Sequence, residues 1–370
     1  MANSLQDTLQ IANRCLDDRL ISHSTIGSIS QIASLLPPIP KISEAGFECH
    51  LGSAIPNADF LVAFTTRNNG RKALLDCCDS WLELLYSNPV WQRVHDFCLH
   101  WTNAELSIYN NVANIWLEFD VDNHSSTAPE PSFFFAPRNI KGTEKPFLSK
   151  NNWVINDTLK LLFGSLPSNE VQQQLLNCFN SLPSHGEIFQ IGVMLPRKTE
   201  CYSVRLCVQG ISHEEILDYL SNIGWSSSLT ELSNLLSQLS QFVDVIRLNF
   251  GVKDSLYPKI GLECYIDKQP KNTAKWQLFF DYLVKNKLCT PEKAYAILNW
   301  TGYTEEKFCP EIWPSNFAQG SALVSPKMRS TIARTLHHIK IVYQPHQPLQ
   351  AKAYLWFSHR WLSQNGLFQL

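Results

Sequence analysis

With 370 residues, 44% of them hydrophobic, the chain is long enough to bury a large core as one big domain or two ordinary ones. Its formal net charge of −2 gives no general attraction to nucleic acid or to an anionic membrane, so any cationic site must be local. The eleven cysteines form no C-x-x-C pair, and the N-terminus MANSLQDTLQ lacks the basic and apolar regions of a signal peptide. Both features predict reduced thiols and a cytoplasmic location. No run reaches the roughly eighteen apolar residues that a membrane helix needs.

In chain order, Leu5 to Leu36 has helical spacing and is closed by Pro37 and Pro38. Two predicted strands follow, Phe47 to Leu51 and Phe60 to Thr66, joined by the turn-forming SAIPNAD. Helical segments come next over Arg71 to Tyr86 and Pro89 to Trp101. The same order then recurs. Strands Asn114 to Val121 and Ser132 to Pro137 precede helices near Asn156 to Phe163 and Asn169 to Leu182. Strands Ile188 to Pro196 and Tyr202 to Gln209 precede helices His213 to Ile223 and Leu229 to Phe242. Strands Val245 to Val252 and Lys259 to Ile266 precede helices Lys275 to Lys287 and Thr290 to Trp300, the last opening on a Thr-Pro-Glu start signal. A fifth hairpin spans His338 to Phe357, its two runs separated by a segment with two prolines.

Alternation within these strands sorts their faces. Ile115, Leu117 and Phe119 oppose Trp116, Glu118 and Asp120, while Val204, Leu206 and Val208 oppose Arg205, Cys207 and Gln209. Ile246, Leu248 and Phe250 oppose Arg247 and Asn249, and Ile260, Leu262 and Cys264 oppose Lys259, Glu263 and Tyr265. In the last hairpin Ala353, Leu355 and Phe357 oppose Lys352, Tyr354 and Trp356, with Lys340 on the polar face of its partner run. A uniform apolar face matches amphipathic helices, so the polar set must face the other way. Five hairpins separated by helix pairs predict an α+β fold, a ten-stranded antiparallel β-barrel of αββα repeats inside a ring of helices. The whole chain, 1–370, reads as one barrel domain, with 1–40 closing the outer ring. Ten strands enclose a lumen wider than side chains alone fill, so it is expected to hold a ligand.

This pattern resembles the aromatic prenyltransferases of the ABBA type, or PT barrels, including the dimethylallyltryptophan synthase group. The resemblance covers nearly the whole chain as architecture. It implies transfer of a prenyl group, dimethylallyl or longer, from an allylic diphosphate to an indole, a phenol or a peptide side chain in secondary metabolism. It further implies a catalytic glutamate on the first strand, matched here by Glu48 in the run Gly46, Phe47, Glu48. Lys352 and Tyr354 match the K-x-Y pair of a late strand, and Arg205, Arg247 and Lys340 stand where other diphosphate-binding cations are expected. The chain departs from the pattern at SFFFAP, which has neither lysine nor tyrosine, and at Cys207, which follows Arg205 where a tyrosine is usual.

The same residues have a physical reading. A buried diphosphate needs several fixed cations, which also stabilise the charge that develops as it leaves. Aromatic faces must then shield the allyl cation from water, a role open to Trp116, Tyr265, Tyr354 and Trp356. Glu118 and Glu263 belong to the acceptor region and serve either as acid–base groups or as ion-pair partners of lumen cations. No D-D-x-x-D run is present, so magnesium is not required by the sequence, and no other cofactor is implied. His337 and His338 stand side by side without a third ligand and are given no metal role. Expected partners are a prenyl diphosphate and an aromatic small molecule or peptide, with no nucleic acid and no membrane. The alternative is a barrel of the same build that binds or cyclises an aromatic or anionic metabolite without prenyl transfer.

Overall fold

The computed structural model describes residues 4–39, 41–81, 87–121, 129–143, 148–197, 203–267, 273–317 and 328–363. Residues 82–86, at the end of the second predicted helical segment, and Tyr202 lie outside them. Eleven strands are found among the described residues: β1 Glu44–His50, β2 Ala58–Thr65, β3 Val112–Phe119, β4 Pro131–Pro137, β5 Glu187–Val193, β6 Val204–Gln209, β7 Val245–Val252, β8 Leu256–Tyr265, β9 Gly302–Glu305, β10 Met328–Tyr343 and β11 Gln350–Ser363. Each of β1 to β7 pairs antiparallel with the next, β8 pairs with β10, β10 with β11, and β11 with β1. Ten strands therefore close into a barrel, and closure removes the unpaired edges that a ten-stranded open sheet would expose.

The predicted faces follow from this closure. Phe47, Val62, Leu117, Leu206, Leu248 and Leu355 are fully buried in the core between the sheet and the helices. The helix Pro89–Thr102 shows how the outer ring is built. Asn88 caps it by accepting hydrogen bonds from the backbone N–H groups of Val90 and Trp91 at 2.9 and 3.1 Å. Its apolar stripe of Trp91, Phe97 and Trp101 then lies on the barrel, with Phe97 4.7 Å from Phe133 of β4. Each such side chain stabilises the fold by about 1.5–3 kcal/mol through removal of apolar surface from water.

Two expectations are corrected. Leu5 to Leu36 is two helices, Leu5–Asn13 and His23–Leu35, because Arg19 turns back onto Asp17 and Ser22 caps the second helix by accepting from Thr25. The last hairpin is also longer than predicted. β10 begins ten residues before His338 and carries β9 along its outer edge, paired from Thr331 to Arg334. Ser330, Thr331, Ile332, Ala333 and Arg334 are all buried, so both faces are covered and no polar–apolar alternation marks this stretch as a strand. The buried Arg334 donates to the Trp300 carbonyl at 2.9 Å and to Thr304 of β9.

Gly46 lies where β1 crosses β11, and a Cβ there would sit 2.2 Å from the Leu355 carbonyl oxygen. Backbone cannot move aside as a side chain can, so Gly46→Ala should cost about 1–3 kcal/mol of stability. Denaturant unfolding of the variant beside the parent chain measures this.

Candidate active site

Glu48 points into the lumen because its neighbours Phe47 and Cys49 take the helix-facing positions of β1. Across the β1–β11 ladder it lies opposite Tyr354, with Lys352 one inward position along. Its carboxylate accepts hydrogen bonds from both the Lys352 ammonium and the Tyr354 hydroxyl. Burial alone would raise the Glu48 carboxyl, but Lys352 and Lys340, with the two hydrogen bonds, outweigh it and lower its pKa to about 2. Burial also works against the Lys352 ammonium, and Glu48 outweighs it there too, so that pKa is raised.

Two further carboxyls share the space and respond in the opposite sense. Burial, then the nearby Glu48 charge, pushes Asp59 up to about 7 and Glu118 up to about 8. One carboxylate is ionised against the cations while its neighbours retain protons. Ligand atoms of Glu48, His50 and Asp59 lie within 4.8 Å of one another, a spacing that can suit a metal ion. The Lys352 ammonium already supplies positive charge at Glu48, so this set is neutralised by the protein itself.

On the other wall Glu263 accepts from Tyr265 at 3.0 Å and from Asn249 at 3.4 Å, and lies 4.0 Å from the Lys340 ammonium. Arg247, opposite Glu263 on β7, stacks its guanidinium over Tyr265 at 4.2 Å and Phe189 at 4.7 Å. Its Nε is buried without a hydrogen-bond partner.

Among the described residues, two adjoining chambers lie inside the barrel. The first, of about 60 Å³, is lined by Arg197, Arg205, Lys259, Lys340 and Lys352 together with Glu48. The second, of about 210 Å³, is lined by Trp116, Phe189, Tyr265, Trp356 and the pair His337 and His338. Glu118, Phe134, Asn249, Lys340 and Tyr354 belong to both and form the boundary. Phe134 is the inward-facing phenylalanine of SFFFAP. Its ring fills the place of a side chain at Gly192, where a Cβ would meet it at 2.2 Å.

Of the residues singled out in the sequence, Glu48, Arg205, Lys340, Lys352 and Tyr354 line the cationic chamber, and Trp116, Glu263, Tyr265 and Trp356 line the aromatic one. Glu118 lines both. Arg247, grouped with the diphosphate cations, stands in the aromatic chamber instead. Sequence reasoning missed Asp59, Phe134, Phe189, Arg197 and the two histidines. His338 carried a signal, since it is in phase with Lys340. His337 carried none, because a register shift between Leu336 and His338 is what turns it inward.

No protein-family model matches the sequence, and no curated sequence matches it. Solved structures do. The fold is that of the ABBA-type aromatic prenyltransferases, a ten-stranded antiparallel barrel ringed by helices. Among the similar structures is 5-dimethylallyltryptophan synthase from Streptomyces coelicolor, with a TM-score of 0.51 and 12% identity over 96% of this chain and 98% of that one. Another is the prenyltransferase PriB, with a TM-score of 0.50 and 9% identity over 95% of this chain and 94% of that one. Among the described residues no helix is long and apolar enough to cross a membrane. The ten described cysteines carry free thiols, all but Cys15 buried.

Two measurements check the lumen electrostatics. Glu48→Gln strands the partly buried Lys352 ammonium and should cost about 1–3 kcal/mol, seen as a drop in the unfolding midpoint. Glu118 and Asp59 have folded pKa values above their unfolded ones of about 4.5 and 3.8. Their contribution is fully present below those unfolded values and is lost as pH rises through about 7 to 8. Glu118→Gln removes its share of this loss, so its stability relative to the parent should rise between pH 5 and pH 8.5, followed by thermal unfolding across that range.

Proposed function

We propose that this protein transfers a short prenyl group from an allylic diphosphate to an aromatic acceptor that carries a carboxylate. One observation carries the reading: a cationic chamber and an aromatic chamber meet at a wall that contains Lys340 and Tyr354. The diphosphate takes the cationic side, where Arg205, Lys340 and Lys352 bind its oxygens and stabilise the charge that grows as the carbon–oxygen bond breaks. The allyl cation then faces Trp116, Tyr265 and Trp356, whose ring faces attract it and exclude water. An acceptor ring in the same chamber attacks it, and Arg247 pairs with the acceptor's carboxylate.

Glu48 belongs to the diphosphate side in this reading. It keeps Lys352 charged and orients the Tyr354 hydroxyl, and the acceptor's proton leaves by another group. The two chambers together stay below the roughly 300 Å³ at the lower end of ligand pockets, which favours a five-carbon donor over longer ones. The barrel fold shared with 5-dimethylallyltryptophan synthase supports the assignment to a transferase.

A second reading draws on the pairing inside the lumen. Glu48 holds Lys352, Glu263 approaches Lys340, and Arg197 is bonded to Asp120 at 2.6 Å, so these cations already have anionic partners. A barrel with its charges balanced this way binds or cyclises an aromatic metabolite without prenyl transfer.

Titration calorimetry with dimethylallyl diphosphate separates the two. The parent chain should bind it, and Lys352→Ala or Lys340→Ala should weaken binding by about 1.5–3 kcal/mol, the value of a hydrogen bond to a charged group. Arg247→Ala should leave donor binding within about twofold and weaken an aromatic acid instead. Failure of the parent to bind any allylic diphosphate selects the second reading. In a competition assay, dimethylallyl diphosphate should be used at least about tenfold faster than geranyl diphosphate.

A further inference from the structure

His337 and His338 are consecutive residues of a strand, and consecutive strand side chains point to opposite faces. Here both line the aromatic chamber. The cause is the register shift between Leu336 and His338, a bulge against β11 that adds one residue to β10. The His338 ring is stacked between Tyr354 at 4.1 Å and Tyr265 at 4.8 Å, so its orientation is set by two aromatic neighbours. Its Nδ1 lies 2.8 Å from the Nδ1 of His337. His338 is 6% exposed, and its Nε2 is buried without a hydrogen-bond partner. His337 is exposed and also lines the chamber.

A contact of this length between two ring nitrogens requires a proton on one of them, since two lone pairs repel. Both rings are held toward the neutral form. Although the residue is exposed, desolvation of its ring and then the Arg247 charge lower the pKa of His337 to about 4. Burial, then the charges of His337, Lys340 and Arg247, lowers that of His338 well below its usual value. Two neutral rings that share one Nδ1 proton must present one Nε2 lone pair and one Nε2–H. Whichever ring donates across the shared bond has the bare Nε2. The pair can therefore take up a proton at one end and release one at the other.

From this geometry we infer that the bulged His337–His338 pair is a proton relay that drains the aromatic chamber, an inference that rests on the prenyl-transfer reading. After the acceptor ring attacks the allyl cation, the carbon–hydrogen bond at the new substituent breaks and its electron pair restores aromaticity. The proton goes to the bare Nε2 of His338. The Nδ1 proton of His338 crosses to Nδ1 of His337, and His337 gives its Nε2 proton to lumen water. The shared bond is left reversed; after product leaves, the His338 Nε2 proton passes to water that enters the emptied chamber, His337 takes up a proton at Nε2, and the Nδ1 proton returns to His338, which restores the pair. A weakly basic ring suffices, because an arenium ion is a far stronger acid than an imidazolium, and weak basicity speeds release at the far end.

Among the described residues, the charged and titratable groups that line the chamber beside the pair do not compete for this task. Arg247 of β7 and Lys340 of β10 are cations. Glu263 of β8 is occupied by Tyr265 and Asn249, and Glu118 of β3 is pushed up to about 8 and holds its proton at neutral pH. Tyr265 and Tyr354 donate to Glu263 and Glu48. Glu48 lines the other chamber.

The test combines spectroscopy with single-turnover rates on the full chain. In nitrogen-15 histidine spectra between pH 6 and pH 8 both rings should be neutral, and one proton should couple to both Nδ1 atoms. An imidazolium signal from either ring, or two rings with no shared proton, overturns the relay. His338→Phe keeps the aromatic stack, and His337→Gly opens the lumen end. Each should bind dimethylallyl diphosphate within about twofold of the parent and form product from a panel of aromatic carboxylic acids at least about 30-fold more slowly. Added imidazole should restore His337→Gly, which a purely structural histidine would not allow. Product formed by the parent and by both variants at similar rates overturns the relay alone. No product from the parent with any of these acids overturns the prenyl-transfer reading and the relay that rests on it.

Discussion

The contact of Glu48 with Lys352 and Tyr354 lies on the seam where the first strand of the barrel meets the last. Two segments about three hundred residues apart in the chain are brought side by side there, and the ladder between β1 and β11 is what converts an open sheet into a closed one. Charge inside the lumen depends on that closure. Without β11 beside it Glu48 would face water, Lys352 would lie on a free edge, and neither Asp59 nor Glu118 would be driven to hold a proton. A buried ion pair at such a seam is weak evidence for net stability, since removing two charges from water offsets most of their attraction. Its larger effect is on register. A slip of one residue between β1 and β11 would turn Glu48 toward the apolar helices and place a charge where nothing can solvate it.

From the seam inward, the chambers are separated by packing as much as by charge. Phe134 faces the lumen from β4, and Gly192 on the adjacent strand makes room for its ring. The lumen is thereby split into a small cationic space and a larger aromatic one. This explains how SFFFAP can lack lysine and tyrosine while the barrel still presents cations, since they come from β6, β8, β10 and β11 on the facing wall. The carboxylates that accompany these cations offset part of the lumen's positive charge. A polyanion entering there must compete with Glu48 and Glu263 for their lysines, and each newly paired phosphate oxygen favours protonation of the displaced carboxylate.

Much of this was legible in the residues themselves. Period-two alternation in β3, β6, β7, β8 and β11 separates the helix-facing side from the lumen side without reference to any partner strand. A face assignment made this way is robust because it rests on local geometry: successive side chains of an extended chain must diverge. Glu118, Arg205, Glu263, Lys340 and Lys352 were found by that rule, and so was the barrel, since hairpins with one apolar face need helices on one side and each other at the edges. The first half of β10 escaped it because burial on both faces erases the pattern. Asp59 escaped because it ends the turn-forming SAIPNAD and was read as loop, whereas the strand begins at Ala58.

The sequence by itself therefore determined which side chains point inward, strand by strand, because that depends only on the backbone of each strand. Which inward residues meet depends on stagger between strands and on closure, and these are set by pairings between segments far apart in the chain. Tertiary structure alone thus joined Glu48 to Lys352, parted Arg247 from Arg205 and Lys352, and moved Glu118 and Asp59 toward protonation by burying them beside an ionised neighbour. It alone also turned His337 inward, because a bulge is a mismatch in length between two paired strands and exists only once both are in place.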